Sequence, residues 1–592
     1  MRVHHGVHIR AQPVHQQVHA NFARGLALAG NPAALKVYDH HVGGLHHALA
    51  DRRRCAQDAI LIQPDGEISI RGSYIATFVN HRPEANDLLP MLAFSFHCWR
   101  AAAGEPALVA WYSTASLKSN HGLREICSRT QAAKDTSTNR HHSRSTIATS
   151  MPVSAARAAA FDILLRVEEQ NAFASELLHS SQFAQLSPAD HGLCTELVMG
   201  VLRWRSSLDT EIVGKSSKKL EKLDREILTA LRLGVYQLTH LQRIPARAAI
   251  NESVELVKRA RKRSAAPFVN AVLRKLDREP GETNVEPSNT SPAYLAERYA
   301  HPLWLVERWW RNFGPNATRE ICDADQQVPI TVIRLRDPGA ESELRQEGIQ
   351  LVPGALLSSA LRVTGGEVTR TKAFREERVA IQDEASQLVA MLVGKGNRIL
   401  DCCASPGGKT SVIASRNLSS TIVAADIHPH RARLARRLVA ASNVHVIVAD
   451  AEHLPVAGTF DRGLADVPCS GTGTLARNPE IKWRLKPSDL ADLHQRQVAI
   501  LRSALGHLTS KGRLVYSTCS LEPEENQDVI KELLAKESGW RLLPCGPQLE
   551  ELKINGELAW PNPDSLTDGG FLRTLPGIHP CDGFFAAIIE RN

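Results

Sequence analysis

The chain has 592 residues, 43% of them hydrophobic and 23% charged, which is too much for one core and suits three or four domains of a soluble protein. Its formal charge of +8 is no argument for nucleic acid by itself, because residues 1–150 hold 16 Lys+Arg against 10 Asp+Glu while the remainder, 55 against 53, is nearly balanced. The 11 cysteines form no C-x-x-C pair and no dense framework, and no run stays apolar for the roughly 18 residues a membrane helix needs. The longest candidate, Leu88 to Trp99, is broken by Pro90, Ser95 and His97, and the first 30 residues lack a secretory h-region. The expectation is a cytoplasmic monomer with reduced thiols, no metal and no membrane partner.

Residues 1–150 hold 14 of the 25 histidines, only 3 lysines and no sustained periodic pattern. Pairs such as His4-His5, His40-His41 and His46-His47 raise a metal-binding tract. The composition favours instead a disordered or translated upstream segment with Met151 as the start, and the Ser/Thr/Arg-rich stretch Thr130 to Ser150 marks that boundary.

From Ser154 the pattern becomes helical. Leu193, Leu197 and Val201 recur at four-residue spacing, as do Ile227, Leu231, Val235 and Leu238, and then Ile250, Val254 and Val257. Residues 151–280 are therefore expected to form an all-α domain. They resemble a NusB-like RNA-binding domain in Glu196 to Arg203, Gly234 to Leu238, Ile244-Pro245 with Asn251 to Val254, and Phe268 to Arg274. The basic run Lys258 to Arg263 suits phosphate contacts and equally a solvated helix face.

Residues 279–292, rich in Pro, Glu, Asn, Thr and Ser, read as a linker. An aromatic amphipathic helix follows from Pro302 to Trp310, its tryptophans read as core ahead of base stacking. Short strands are expected at Ile330 to Leu335, Ile349 to Val352 and Leu361 to Val363, so that residues 291–375 make a small mixed α/β linker subdomain that contacts RNA.

From 376 to 592 strands and helices alternate, as in a doubly wound, Rossmann-like α/β sheet. Strands are expected at Arg398–Asp401, Thr421–Asp426, Val444–Asp450, Phe460–Asp466, Gly512–Thr518 and Gly583–Ile589, and helices near Lys409–Arg416, Arg431–Ala441, Pro487–Leu508 and Glu524–Lys536. The turn Cys403-Ala404-Ser405-Pro406-Gly407-Gly408-Lys409 closes the first of these strands. A Walker loop would need Gly where Cys403 stands, and G-x-G-x-x-G is missing, so phosphate cradling is not expected. Asp426, about 20 residues past the glycines, sits where a carboxylate accepts from ribose hydroxyls. A nucleoside ligand without an essential pyrophosphate fits, and S-adenosylmethionine is the commonest. Asp401, Asp426, Asp450 and Asp466 all fall at strand carboxyl ends, with Asp450 suited to the adenine amine.

Cys469 follows the fourth strand and Cys519 ends the fifth, so two thiols 50 residues apart in sequence face one edge. C5 of a pyrimidine is too weak a nucleophile to take a methyl group directly. A thiolate adding to C6 makes C5 an enamine carbon, and a thiol is sufficiently ionised near neutrality to add and later leave. The second cysteine is a candidate for the release step.

The segment from about 154 to 592 resembles the RsmB (Sun/Fmu) branch of the RsmB/NOP family of S-adenosylmethionine-dependent RNA cytosine-C5 methyltransferases. The resemblance rests on Gln382 to Gln387, the glycine turn, Asp466 to Gly473, Arg477 to Trp483, Ser517 to Ser520 and Pro523 to Asn526. It implies Cys519 as nucleophile, Cys469 in product release, and Cys403, Ala404, Ser405, Pro406, Gly407, Gly408, Lys409, Asp426, Asp450 and Asp466 around the cofactor, with Asp466 near the base as well. Cys402, Ser405 and Arg336 depart from the family pattern, Arg336 standing where an Arg-Val-Asn ending is usual. The implied partner is ribosomal RNA (16S), with its target base flipped from a loop or an opened segment. The same chemistry on tRNA, and an inactive RNA-binding or antitermination factor, are the alternatives; the second predicts loss of Cys469, Cys519 or the cofactor carboxylates, all of which are present.

Overall fold

The computed structural model describes residues 153–180, 182–183, 185–279 and 291–592. The histidine-rich segment 1–150, with its metal-binding and upstream-extension readings, and nearly all of the linker lie outside the described residues.

The first described region is helical: α1 (Ala155–Gln170), α2 (Ala174–Leu178), α3 (Pro188–Arg203), α4 (Arg205–Ser216), α5 (Arg225–His240), α6 (Ala246–Arg259) and α7 (Ala266–Arg278). The four-residue apolar spacing puts Leu197, Val201, Leu231, Val235 and Val257 on inward stripes of one cluster, each such buried side chain contributing about 1.5–3 kcal/mol. In the basic run that begins in the last turn of α6, Lys258 pairs with Glu255, Arg259 with Asp162 and Lys262 with Asp224. Three of its five cations are thus committed within the bundle.

Beyond α8 (Pro292–Arg298), helix α9 (Leu303–Gln326) carries the tryptophans. It runs well past Trp310, where the sequence pattern places its end, because the chain kinks and continues at Gly314-Pro315, Gly314 taking φ +79°. Trp309 is fully buried and its Nε1 donates to Glu522 Oε1 at 3.1 Å, so it is core.

A small antiparallel sheet follows, built from β1 (Thr331–Leu335), β2 (Gln350–Pro353), β3 (Ala360–Gly365) and β4 (Val379–Ile381) in the order β2-β3-β1-β4, with α10 (Ala340–Gln346) and α11 (Lys372–Arg375) beside it. Then come α12 (Glu384–Leu392), β5 (Arg398–Asp401), α13 (Gly408–Arg416), β6 (Thr421–Asp426), α14 (Pro429–Val439), β7 (Val444–Val448), β8 (Phe460–Asp466), α15 (Ile481–Arg484), α16 (Asp489–Gly506), β9 (Leu508–Thr518), α17 (Gln527–Lys536), β10 (Trp540–Leu543), α18 (Gly546–Ile554), β11 (Thr567–Asp568), β12 (Phe571–Arg573) and β13 (Phe585–Arg591). These strands form one sheet whose centre runs β13-β9-β8-β5-β6-β7. The five from β5 to β9 are parallel and β13 is antiparallel to β9. The order reverses between β5 and β8, and at such a point the strand ends part to admit a ligand.

The segment Arg477 to Arg484 joins this sheet to the helical region. Lys482 Nζ donates to the carbonyls of Arg203 and Ala300 at 2.9 and 3.0 Å, Trp483 Nε1 to that of Leu202 at 2.7 Å, and Arg484 to those of Val167, Asn171 and Ala172. The last two carbonyls of α3 thereby accept from the sheet domain, that of Leu202 from the Trp483 indole and that of Arg203 from the Lys482 ammonium. Burial lowers the Lys482 ammonium to about 7.

Candidate active site

The register of β8 against β9 sets the site, because Asp466 pairs with Ser517 and Cys469 and Cys519 each lie a few residues beyond. Their sulfurs are 3.4 Å apart, and both residues are partly exposed. The Cys469 thiol is held well above its ordinary range, first by its hydrogen bond to Cys519 and then by burial. At neutral pH it is therefore a thiol, able to donate to the Cys519 sulfur.

Gly473 fixes how closely the two loops approach. Its N–H donates to Cys519 O at 2.9 Å, and a Cβ there would lie 2.1 Å from Gly583 O, so no side chain fits. Behind the thiols is a group that the sequence pattern does not single out, the carboxylate of Glu525. It accepts from Ser470 N at 2.8 Å, Gln497 Nε2 at 3.0 Å and the hydroxyls of Ser470 and Ser520. Ser470 follows Cys469 and Ser520 follows Cys519, so one buried carboxylate grips both cysteine loops. Gln497 also donates to Pro468 O at 3.0 Å, and Asn526 Nδ2 to Ser520 O at 2.8 Å. Glu525 stands where an acidic residue usually opens a helix facing water, and nothing local in Pro523 to Asn526 signals that it turns inward.

On the β5 side, the turn from Cys403 to Lys409 leads into α13. Ala404 N donates to Ala425 O at 2.8 Å and Gly407 N to Ala404 O at 2.7 Å, which folds the turn against the end of β6. Gly407 has φ +105°, a left-handed conformation natural to glycine, and opens α13 so that the helix's free N–H groups face the edge. The Cys403 thiol, pushed well up by burial, is not ionised. Ser405 and Pro406 form the outer part of the turn, Pro406 being exposed.

Asp426 is buried, accepts from His428 N at 2.9 Å on one oxygen and has Arg431 Nε 3.6 Å from the other. Asp450 accepts from Glu452 N at 3.0 Å. Asp401 is fully buried; Thr410 Oγ1 donates to its Oδ2 at 2.7 Å, Oδ1 has no hydrogen-bond partner, and burial raises the carboxyl to about 7. Asp466 is filled on both oxygens, by Lys409 Nζ at 2.8 Å and Ser517 Oγ at 2.7 Å. Burial alone would lower the Lys409 ammonium, but Asp466 outweighs it and holds the value above the ordinary one. Lys409 also lies 4.9 Å from the Phe584 ring. The structure thus gathers every candidate residue at the carboxyl edge from β7 to β9, with Lys409 tying the turn to the cysteine side.

The acceptor oxygens of Asp426 and Asp450 at adjacent strand ends, the backbone turn across from them and the unpartnered Asp401 Oδ1 fit the hydroxyls and amine of a nucleoside. Among the described residues, no cluster of three or more His, Cys, Asp or Glu side chains is placed to hold a metal, and no helix is long and apolar enough to cross a membrane.

The family model described as 16S rRNA methyltransferase RsmB/F matches residues 389–590, and that of the NusB family matches residues 154–278. The chain is 33% identical over 458 residues to the probable ribosomal RNA small subunit methyltransferase B of Bacillus subtilis (strain 168), covering 75% of this chain and 100% of that protein. With ribosomal RNA small subunit methyltransferase B of Vibrio cholerae serotype O1 it shares 32% over 449 residues, 74% of this chain and 97% of that one. Among solved structures, that of PH0851 superposes with a TM-score of 0.62 at 23% identity, over 74% of this chain and 99% of the other, a likeness of fold.

Proposed function

The chain belongs to the ribosomal RNA small subunit methyltransferase B family, an S-adenosylmethionine-dependent rRNA methyltransferase of RsmB type, and from that premise we propose that it methylates C5 of a cytosine in 16S rRNA through a covalent cysteine adduct. The observation that carries the finer reading is the 3.4 Å approach of the Cys469 and Cys519 sulfurs at neighbouring strand ends.

The turn from Cys403 to Lys409, with Asp426 and Asp450, holds the donor, Asp426 by its ribose and Asp450 by its adenine amine. S-Adenosylmethionine, when bound there, supplies an electrophilic methyl group. Cys519 Sγ adds as a thiolate to C6 of the flipped cytosine, and C5 becomes the nucleophile. Asp466, fixed by Lys409 and Ser517, lies between cofactor and base and orients the ring. Once C5 carries the methyl group, its proton leaves to a base, the C5–C6 double bond re-forms and Cys519 departs. Cys469, a thiol beside that sulfur, serves the release. Glu525 sets the separation of the two sulfurs by holding both loops, which makes it a positioning residue.

Residues 151–280 position the rRNA, and residues 291–375 add contacts; together they offset the few kcal/mol, roughly, of unstacking the target base. Bisulfite sequencing of 16S rRNA from cells with and without the gene tests the reading. One protected cytosine is expected to disappear with the gene and return with the wild-type chain; an unchanged cytosine pattern would defeat it.

A further inference from the structure

A cavity of about 760 Å³ lies between the end of β1, the segment Glu376 to Arg378 that leads into β4, and residues of α12, α13 and the end of α14. Four arginines line its wall, Arg334, Arg336, Arg378 and Arg416, of which the first two differ from the others in their partners. Arg334 lies in β1 and Arg336 in the bend just past its end, and both line the cavity. Arg334 is 8% exposed; its Nη2 donates to Ser411 Oγ at 2.7 Å and its Nε has no partner. Arg336 is half-buried; its Nη1 donates to Glu377 O at 3.3 Å and its Nε is likewise unpartnered.

Neither forms an ion pair among the described residues, in contrast with the other two arginines of the same wall. Arg378 pairs with Glu343 at 2.6 Å, Glu376 at 2.9 Å and Asp337 at 3.4 Å, and Arg416 pairs with Glu557. The remaining carboxylate at the rim, Glu377, has Arg437 3.9 Å away. Burial, and then the neighbouring Arg336 charge, lower Arg334 to about 10, so it remains a cation at neutral pH. Among the described residues no acidic group offsets the Arg334 charge, and Arg336 has only the field of Glu377, which Arg437 also approaches, so an anion in the cavity would offset both.

The anion's chemistry follows from the donors. Guanidinium forks match the several oxygens of a phosphate, and the Ser411 hydroxyl on α13 and the Ser442 hydroxyl in the turn after α14 add neutral donors. The volume exceeds what an ion alone fills, and Met391, Val412 and Val439 give an apolar wall for the body of a nucleotide. Val412 belongs to α13, which opens at the turn from Cys403 to Lys409, so an occupant would lie beside the same element that bounds the catalytic edge. We propose that this cavity is a phosphate-binding site in which Arg334 and Arg336 take a phosphate of the RNA substrate at a point on the strand separate from the target base. The RNA as source rests on the rRNA reading above; the phosphate chemistry does not. Arg336 is also one of the three positions at which the chain departs from the pattern it otherwise resembles.

The test uses the full chain. Filter binding of a 16S rRNA fragment is measured across a potassium chloride series for wild type, Arg336→Gln and the double variant Arg334→Lys with Arg336→Gln. S-Adenosylmethionine affinity serves as the check that each variant is folded. Loss of one charge-assisted contact should weaken RNA binding about tenfold and make the slope of log K against log salt shallower by about 0.7 to 0.9. In parallel, inorganic phosphate is titrated and the melting temperature followed. Should RNA binding be unaltered while phosphate raises the melting temperature of wild type and not of the variants, the site stands with free phosphate as its source. Because that arm uses no RNA, it reads the cavity even if the wild type binds no rRNA and the functional reading fails. Equal RNA affinity, equal salt slope and equal response to phosphate in all three proteins would overturn the proposal.

Discussion

The two halves of the catalytic edge are finished differently. On the β8–β9 side the carboxylates and thiols are closed by the chain itself, although the Gln497 amide oxygen is left without a donor: Glu525 is surrounded by four donors, Asp466 is filled on both oxygens, and each cysteine has the other as partner. On the β5–β7 side acceptors are left over, most plainly the unpartnered Oδ1 of the fully buried Asp401. A buried acceptor without a donor costs about 1–3 kcal/mol, whereas a satisfied network adds rigidity. The thiol side is therefore organised before any ligand arrives, and the cradle is completed by one. Substitutions on the first side should alter turnover whatever the donor concentration. Those on the second should alter apo stability and donor binding, and added donor should offset them.

The largest effect is expected at the thiols. Cys519→Ala should lower methyl transfer by at least about 10⁴-fold, because C5 loses its activation altogether. Cys469→Ala should leave addition intact and block release, so that a covalent protein–RNA adduct accumulates on denaturing gels. If Cys469→Ala turns over at the wild-type rate with no adduct, its role in release is wrong and only the nucleophile assignment stands.

Next comes the cradle carboxyl. Asp401 is raised to about 7 in the folded chain, against about 3.9 unfolded. Between those values the folded state holds a proton that the unfolded state has lost, so the stability from this group is full below about pH 4 and gone above about pH 7. The three-unit difference corresponds to about 4 kcal/mol at most. Asp401→Asn removes the titration, so without donor the variant should gain on wild type as pH rises from 5 to 8, as read by urea unfolding midpoints. Parallel pH profiles for the two proteins would show that Asp401 is not held protonated, and the contrast between the two halves would weaken.

How far this edge is legible in the sequence follows the same division. The strand limits, such as Thr421–Asp426 and Phe460–Asp466, coincide with short apolar runs bounded by acids, and runs of that kind are decided locally. The glycine turn is likewise local, since Gly407 needs its positive φ whatever lies around it. What escapes is whatever depends on the approach of distant segments. Glu525 gains its meaning from Ser470 and Gln497, 55 and 28 residues away, and Lys482 from carbonyls at Arg203 and Ala300. The length of α9 escapes for another reason: Gly314-Pro315 has the look of a helix end, and here tertiary packing carries the helix through it.

Glu525→Gln tests the thiol side without emptying it. The amide keeps the shape but offers its NH₂ where two donors now converge, so one of the hydroxyl or backbone contacts is lost and the loops loosen. Turnover should fall about 100-fold, some 2.7 kcal/mol in the barrier, while the Kd for S-adenosylmethionine stays near that of wild type. A matching loss in donor affinity would mean that the carboxylate supports the whole edge, not the thiols alone.

The smallest effect is expected from Gly407→Ala, and it separates the halves most directly. At φ +105° an alanine is strained, and its Cβ would stand 2.7 Å from Val439 Cγ2 on α14, so the turn must shift at a cost of about 1–2 kcal/mol. Donor affinity should drop about tenfold by that arithmetic, and turnover at saturating donor should recover. Oxidative cross-linking of Cys469 to Cys519, quantified by peptide mass spectrometry, supplies the second reading, since it reports how long the sulfurs remain adjacent. Its rate should be unchanged in Gly407→Ala and slowed in Glu525→Gln. A slowed rate in Gly407→Ala would mean that strain in the turn reaches the thiols. A direct route for it is the Lys409 to Asp466 ion pair, which ties the turn to the end of β8.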